Sequence, residues 1–237
     1  MLRPVLNLEE VSSFIGPFHI VQGVSLAVYA GEAVVILGRN GAGKTTTLRT
    51  IMGLLPLKGG KIELGGTSLA GLPTHRIARY GLGYVPEDCV VFNMLTVEEN
   101  LQLAMHVRDS ETRGRLAYAL DLFPDLKVAY RRFAANLSGG QRQMLAIART
   151  LINDNKIILI DEPSKGLAPI IVDRVAEALI EVKKRSTLIL VEQNFALACA
   201  VGDRYYILDS GKSVKSGIVR ELELDEELQN KYLSVGA

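Results

Sequence analysis

The stretch Glu32-Ala33-Val34-Val35-Ile36-Leu37-Gly38-Arg39-Asn40-Gly41-Ala42-Gly43-Lys44-Thr45-Thr46 decides the fold. After Glu32 it has five apolar residues without polar alternation, which reads as a short strand buried on both faces of a sheet. Gly38 to Thr45 then matches G-x-x-x-x-G-K-[ST], and a helix is expected from Lys44 to about Met52, with Gly53 as its stop. The glycines let the backbone curl so that successive N–H groups face a phosphate, and the helix N-terminus adds partial positive charge. Lys44 would place a full charge on the β- and γ-phosphates, and Thr45 a hydroxyl on Mg²⁺. A chain with this order of elements binds a nucleoside triphosphate.

Outward from that loop, strands and helices alternate. Val5 to Phe14 and Ile20 to Tyr29 read as two strands upstream, and Lys61 to Leu64 as a short one downstream. Thr96-Val97-Glu98-Glu99 fits a capping box that opens a helix through about Val107, and Glu111 to Leu122 carries a second helical pattern closed by Pro124. Met144, Leu145, Ala148, Leu151 and Ile152 recur at helical spacing in a helix expected over Gln141 to Ile152. A strand Ile157 to Ile160, a helix from Pro169 to about Lys184 and a strand Leu188 to Val191 follow. Tyr205 to Leu208 and Lys212 to Val214 suggest a hairpin around Asp209-Ser210-Gly211, and Asp225 to Leu233 a short amphipathic helix. The implied fold class is α/β, with a mostly parallel core sheet, an antiparallel N-terminal β sub-domain and a helical insertion.

Two further motifs carry chemistry. Ile157-Ile158-Leu159-Ile160-Asp161-Glu162 is a buried strand that ends in two carboxylates, a costly placement unless a cation or water chemistry uses them. Asp161 suits the Mg²⁺ shell and Glu162 suits polarising an attacking water, since adjacent strand residues diverge. Leu137-Ser138-Gly139-Gly140-Gln141 opens a helix with Ser138 and Gln141 as a capping box. Glycine in that first turn costs up to about 1 kcal/mol per residue relative to alanine, and it leaves bare backbone donors at a helix N-terminus. This second phosphate-type site has neither lysine nor Mg²⁺ ligand, which points to use on a neighbouring subunit's nucleotide.

Composition narrows the class. The 237 residues suit one domain with modest sub-domains; 48% are hydrophobic and 22% charged, as in a folded globular chain. A net charge of +1 provides no general field for nucleic acid. Cys89 and Cys199 show no metal-ligand spacing and read as reduced thiols. The mean hydropathy of +0.20 is high for a chain with water on every face. The charge-free run Val11 to Gly31 is long enough to span a bilayer, but Gly16, Pro17, His19, Gln22, Gly23 and Ser25 interrupt it in strand-like alternation. Met1-Leu2-Arg3-Pro4 leads into Glu9 and Glu10 without the apolar run of a signal peptide, so the chain is expected to stay where it is made.

GRNGAGKTT, LSGGQ and IILIDEP together resemble the ATP-binding subunits of ABC transporters, over essentially the whole chain. Gly83-Tyr84-Val85-Pro86-Glu87, Leu95 to Leu101, Gln143 to Arg149, Gly166-Leu167-Ala168-Pro169 and Val191-Glu192-Gln193-Asn194 look like the subunits that serve branched-chain amino acid importers. The resemblance implies one ABC ATP-binding domain over residues 1–237. Its RecA-like core and antiparallel part would take residues 1–90 and 155–237, and a helical sub-domain about 91–154. It implies ATP and Mg²⁺ as ligands, and a head-to-tail pair of ATPase subunits, like or unlike, in which Ser138, Gly139, Gly140 and Gln141 of one close on the γ-phosphate held by the other.

Nucleotide contacts are then expected from Gly38 to Thr46 and from Phe14 or Ile15, Mg²⁺ contacts from Thr45, Glu87 and Asp161, and catalytic roles from Glu162 and Gln193. The implied partners are permease subunits and, indirectly, an extracytoplasmic solute-binding protein, with no nucleic acid. The chain would be cytoplasmic, held at the inner membrane face by the permease. Departures from the family's pattern are Ile15 at the usual aromatic position before Gly16, Asp88-Cys89-Val90 where the importers usually have Gly-Arg-Arg, and Lys165 where Glu or Leu is commoner. Lys165 reads as an exposed loop lysine, and His19, His75 and His106 as structural or solvated. The alternatives are the ATPase of a lipopolysaccharide-type exporter and a soluble ABC ATPase outside transport.

Overall fold

The structure, a computed structural model, describes residues 3–232. Strand β1 (Leu6–Ile15) turns back at Gly16 to pair antiparallel with β2 (Phe18–Val28), and one face of the pair rests on the core. β3 (Ala33–Leu37) is buried at every residue, as its apolar run predicts, and leads through the glycine-rich loop into α1 (Lys44–Ile51). β4 (Gly59–Leu64) and β5 (Thr67–Ser68) complete a four-stranded antiparallel sheet of order β2-β1-β4-β5.

After α2 (Thr74–Arg79) and β6 (Leu82–Val85) the chain is helical: α3 (Val97–Ala104), α4 (Ser110–Leu122), α5 (Pro124–Val128) and α6 (Gly139–Leu151). It then alternates through β7 (Ile157–Asp161), α7 (Pro169–Lys183), β8 (Thr187–Val191), α8 (Phe195–Val201), β9 (Arg204–Asp209) and β10 (Lys212–Ile218), ending in α9 (Val219–Leu222) and α10 (Glu226–Tyr232). The second sheet has the order β10-β9-β3-β8-β7-β6, with β10 antiparallel to β9 and every other pair parallel. β3 and β7 run parallel with β8 between them, so the glycine-rich loop and Asp161 emerge at the same carboxyl edge of the sheet, where open α/β sheets bind ligands.

Two cores sandwich this sheet. Val35, Leu37, Ile158, Ile160, Leu188 and Leu190 face one cluster, with residues of α3, α6 and α7. Val34, Ile36, Ile157, Leu159, Ile189 and Val191 face the other, with β1, β2, β4 and α1. The division follows from the period of two along a strand. Each fully buried Val, Leu or Ile contributes roughly 1.5–3 kcal/mol relative to exposure.

Several boundaries differ from expectation. Pro124 does not only end α4; it is the first residue of α5, where its missing N–H is harmless. The helix expected through Val107 ends at Ala104, and α6 begins at Gly139, two residues before Gln141. β10 runs on to Ile218. Strand β6 carries Gly83 at its centre and so lacks a strand-like run, but β7 pairs along its whole length. Helices α2 and α8 are equally weak as patterns. Among the described residues no helix is long and apolar enough to cross a membrane, and Cys89 and Cys199 are free thiols. Met1, Leu2 and Leu233 lie outside the described residues.

Candidate nucleotide site

Gly41 and Gly43 have φ of 81° and 100°, which an L side chain rarely adopts, and together they curl the loop into α1. A side chain at Gly41 would meet nothing within 4 Å, so that backbone faces open space where a phosphate can lie. Lys44 is buried; its Nζ donates to the carbonyls of Gly38 (2.9 Å) and Arg39 (3.2 Å) and lies 3.3 Å from Glu162 Oε1. The lysine thus folds over its own loop, and phosphate oxygens would replace those partners. Ala42 and Thr46 are buried, and the Thr46 carbonyl accepts the Thr50 hydroxyl inside α1.

Asp161 is wholly buried; Oδ1 accepts the Thr45 hydroxyl at 2.9 Å and Oδ2 the Tyr84 hydroxyl at 3.2 Å. Burial pushes its carboxyl above the usual range, against the pull of those two bonds, and burial with the Asp161 charge pushes the Tyr84 phenol up strongly. Among the described residues no three His, Cys, Asp or Glu side chains gather as a metal cage. Two oxygen donors, Thr45 and Asp161, fit Mg²⁺, which commonly keeps waters and takes its remaining ligands from substrate phosphates. Glu87, expected in the same shell, is instead engaged by Lys165.

Glu162 has a left-handed backbone, φ 45°, fixed by its N–H bond to the Val191 carbonyl at 2.9 Å. That conformation costs on the order of 1–3 kcal/mol, and it redirects the carboxylate toward the loop more sharply than strand alternation alone. Gln193 Nε2 donates to Glu162 Oε1 at 2.7 Å and to Asn40 Oδ1 at 2.6 Å, so one amide bridges the loop and the carboxylate. Lys165 is an exposed loop lysine, as read, and its ammonium contacts Glu87 and stands 3.7 Å from Glu162 Oε2.

Glu192 was not foreseen as a site residue. Buried to 1% exposure, it accepts from Ser164 N–H and hydroxyl and from the N–H groups of Gln193 and Asn194, and so ties the loop after Glu162 to Gln193. The signal was present, because Val191-Glu192 repeats at the end of β8 the apolar-to-acidic step of β7.

At the start of α6, Ser138 and Gln141 form the expected reciprocal cap. Ser138 and Gly139 are exposed, with the Ser138 N–H taken by the Gln141 side chain. Gly140 is different: a Cβ there would lie 2.5 Å from Ile171 Cγ2, so its missing side chain serves the packing of α6 on α7 and not ligand access. Phe14 stacks on His19, ring centroids 4.2 Å apart, while Ile15 opposes Phe18 across the hairpin and both are exposed. His19, His75 and His106 are exposed.

Fold and site together define a P-loop ATPase whose phosphate loop, acidic strand end and capped glycine helix lie on one chain. The pattern of the ABC transporter family fits residues 21–165, and the chain belongs to that family as an ATP-hydrolysing subunit. The high-affinity branched-chain amino acid transport ATP-binding protein BraG of Pseudomonas aeruginosa is 38% identical over 231 residues, covering 97% of this chain and 99% of that protein. The lipopolysaccharide export system ATP-binding protein LptB of Haemophilus influenzae is 34% identical over 233 residues, 97% of each chain. A nucleotide-free ATP-binding cassette from an ABC transporter shares the fold with TM-score 0.83, over 99% of this chain and 100% of that one, at 24% identity.

Proposed function

We propose that this chain energises solute import, of branched-chain or related amino acids, through a membrane permease. The observation that carries the reading is the likeness to BraG across nearly the full length of both proteins. The chain would lie in the cytoplasm against the permease, paired head to tail with a second ATPase subunit. Exposed Ser138 and Gly139 favour such a pair, because they place an open helix N-terminus at the surface without a charge or Mg²⁺ ligand beside it.

In the assembled site the loop from Gly38 to Thr46 wraps the phosphates and Lys44 leaves its own carbonyls for them. Mg²⁺ beside Thr45 and Asp161 would neutralise phosphate charge. Glu162, released by Lys44, accepts a proton from the water whose oxygen attacks the γ-phosphorus as the bond to the β-phosphate oxygen breaks. Gln193 holds Glu162 and Asn40 in register, and Ser138 and Gly139 of the second subunit close over the γ-phosphate. The exposed Ile15–Phe18 pair offers the adenine an apolar surface.

The likeness to LptB supports a second reading, the ATPase of an exporter. Purification from membranes in mild detergent, with identification of the bound proteins, separates the two. A permease with a second cassette and amino-acid-stimulated ATPase in the presence of a binding protein is the result expected for import. A lipid-transporting membrane partner would support export, and ribosomes or DNA would overturn both.

A further inference from the structure

Lys165 is one cation shared by two carboxylates that have different tasks. Glu162 reaches it from the end of β7 and Glu87 from the segment after β6, 78 residues away in the chain. The other partners of those carboxylates change when nucleotide arrives. Glu162 also holds Lys44, which the phosphates draw away, and Glu87 stands on the side of Asp161, close enough for its charge to act on that carboxyl. Glu87 and Glu162 therefore face the two ammonium groups of Lys44 and Lys165, with Asp161 close by. Filling the site moves Lys44 to the phosphates and brings a divalent cation beside Asp161.

We propose that Lys165 is a cationic latch that masks Glu87 in the nucleotide-free chain and is handed over to Glu162 when Mg·ATP binds. The proposal deepens the reading of the nucleotide site and rests on it. Lys44 and the incoming cation drive the exchange: one leaves Glu162 without its buried partner, and the other competes with an ammonium for Glu87. Geometry permits the move, since Lys165 already stands 3.7 Å from Glu162 and its flexible side chain is 58% exposed. The loop carrying it is anchored at both ends, by Ser164 on Glu192 and by Leu167 against the Gly139 position, so the shift needs only the lysine side chain. Lys165 acts as a positioning residue, setting how strongly the divalent ion must compete before the site is charged correctly.

The test is a Mn²⁺ titration followed by electron paramagnetic resonance, on the full chain with a non-hydrolysable ATP analogue. Lys165→Met and Lys165→Gln should lower the Mn²⁺ midpoint about two- to fivefold, the range for a half-exposed pair, and Lys165→Arg should keep the wild-type value. The gap should narrow at 0.5 M salt, where exposed charges are screened, and should vanish when Glu87→Gln is added. Equal midpoints for wild type and Lys165→Met, or a shift that persists with Glu87→Gln, would overturn the latch. Failure of the nucleotide site itself would look different, as wild-type chain without nucleotide-dependent Mn²⁺ binding.

Discussion

Lys44 Nζ stands 3.3 Å from Glu162 Oε1, with both side chains almost fully buried. The cation proposed to bind phosphate and the carboxylate proposed as base are thus each other's partner. A buried charge left alone is costly, so each of these two side chains needs the other, or a replacement of the same sign, within contact distance. In the proposed mechanism this would tie water activation to phosphate binding, since Glu162 would become available only when Lys44 has a better anion.

Glu162→Gln keeps the shape and the Gln193 contact but removes the proposed proton acceptor. ATP binding should persist, while phosphate release falls about 10²- to 10⁴-fold. Steady-state phosphate assay beside fluorescent-nucleotide titration checks this, and gel filtration should show a closed dimer accumulating with ATP. Turnover at the wild-type rate would remove Glu162 from the mechanism.

Ser138→Arg breaks the cap of α6 and places a bulky cation on the face proposed to meet a second subunit. The lost cap costs about 1 kcal/mol of stability. Nucleotide affinity of the isolated chain should change little, whereas cooperative hydrolysis should be abolished. A Hill plot of ATPase activity that matches wild type would argue against a shared site.

Gly140→Ala brings a methyl to 2.5 Å from Ile171 Cγ2. Overpacking of this kind costs about 1–3 kcal/mol, which outweighs a helix-propensity gain of at most about 1 kcal/mol. Urea unfolding should show a net loss. In an Ile171→Ala background, where the obstructing methyl is gone, the same substitution should be neutral or stabilising; a loss of equal size in both backgrounds would contradict the packing account.

Burial raises the Glu192 carboxyl above its ordinary 4.5, although four donors oppose the shift. The folded chain therefore binds a proton that the unfolded chain has lost once pH exceeds 4.5, and this group's contribution to stability declines as pH climbs from there toward the raised value. Glu192→Gln lacks that titration, and its amide nitrogen cannot accept, so it should cost about 1–3 kcal/mol. The stability difference between wild type and variant, from urea unfolding at several pH values, should be larger at pH 4.5 than at pH 7. A difference that grows with pH would mean that the shift has the opposite sign.

Local pattern carried the fold because the decisive signals are local. Five apolar residues, a glycine loop with Lys44 and Thr45, the step from Ile160 to Asp161, and the Ser138–Gln141 cap each fix backbone shape within a few residues, and each shape formed as read. The strands supplied the two faces of the core through their period of two. What the chain alone did not reveal depends on which strands become neighbours. β6 is a strand because β7 lies beside it, Glu192 is a site residue because β8 runs between β3 and β7, and Gly140 is glycine because α7 crosses α6. Lys165 meets Glu87 only after the sheet has brought the ends of β6 and β7 together. Short-range sterics and hydrogen bonding set the first group; the second are contacts between residues far apart in sequence, whose energies exist only once the sheet order is made.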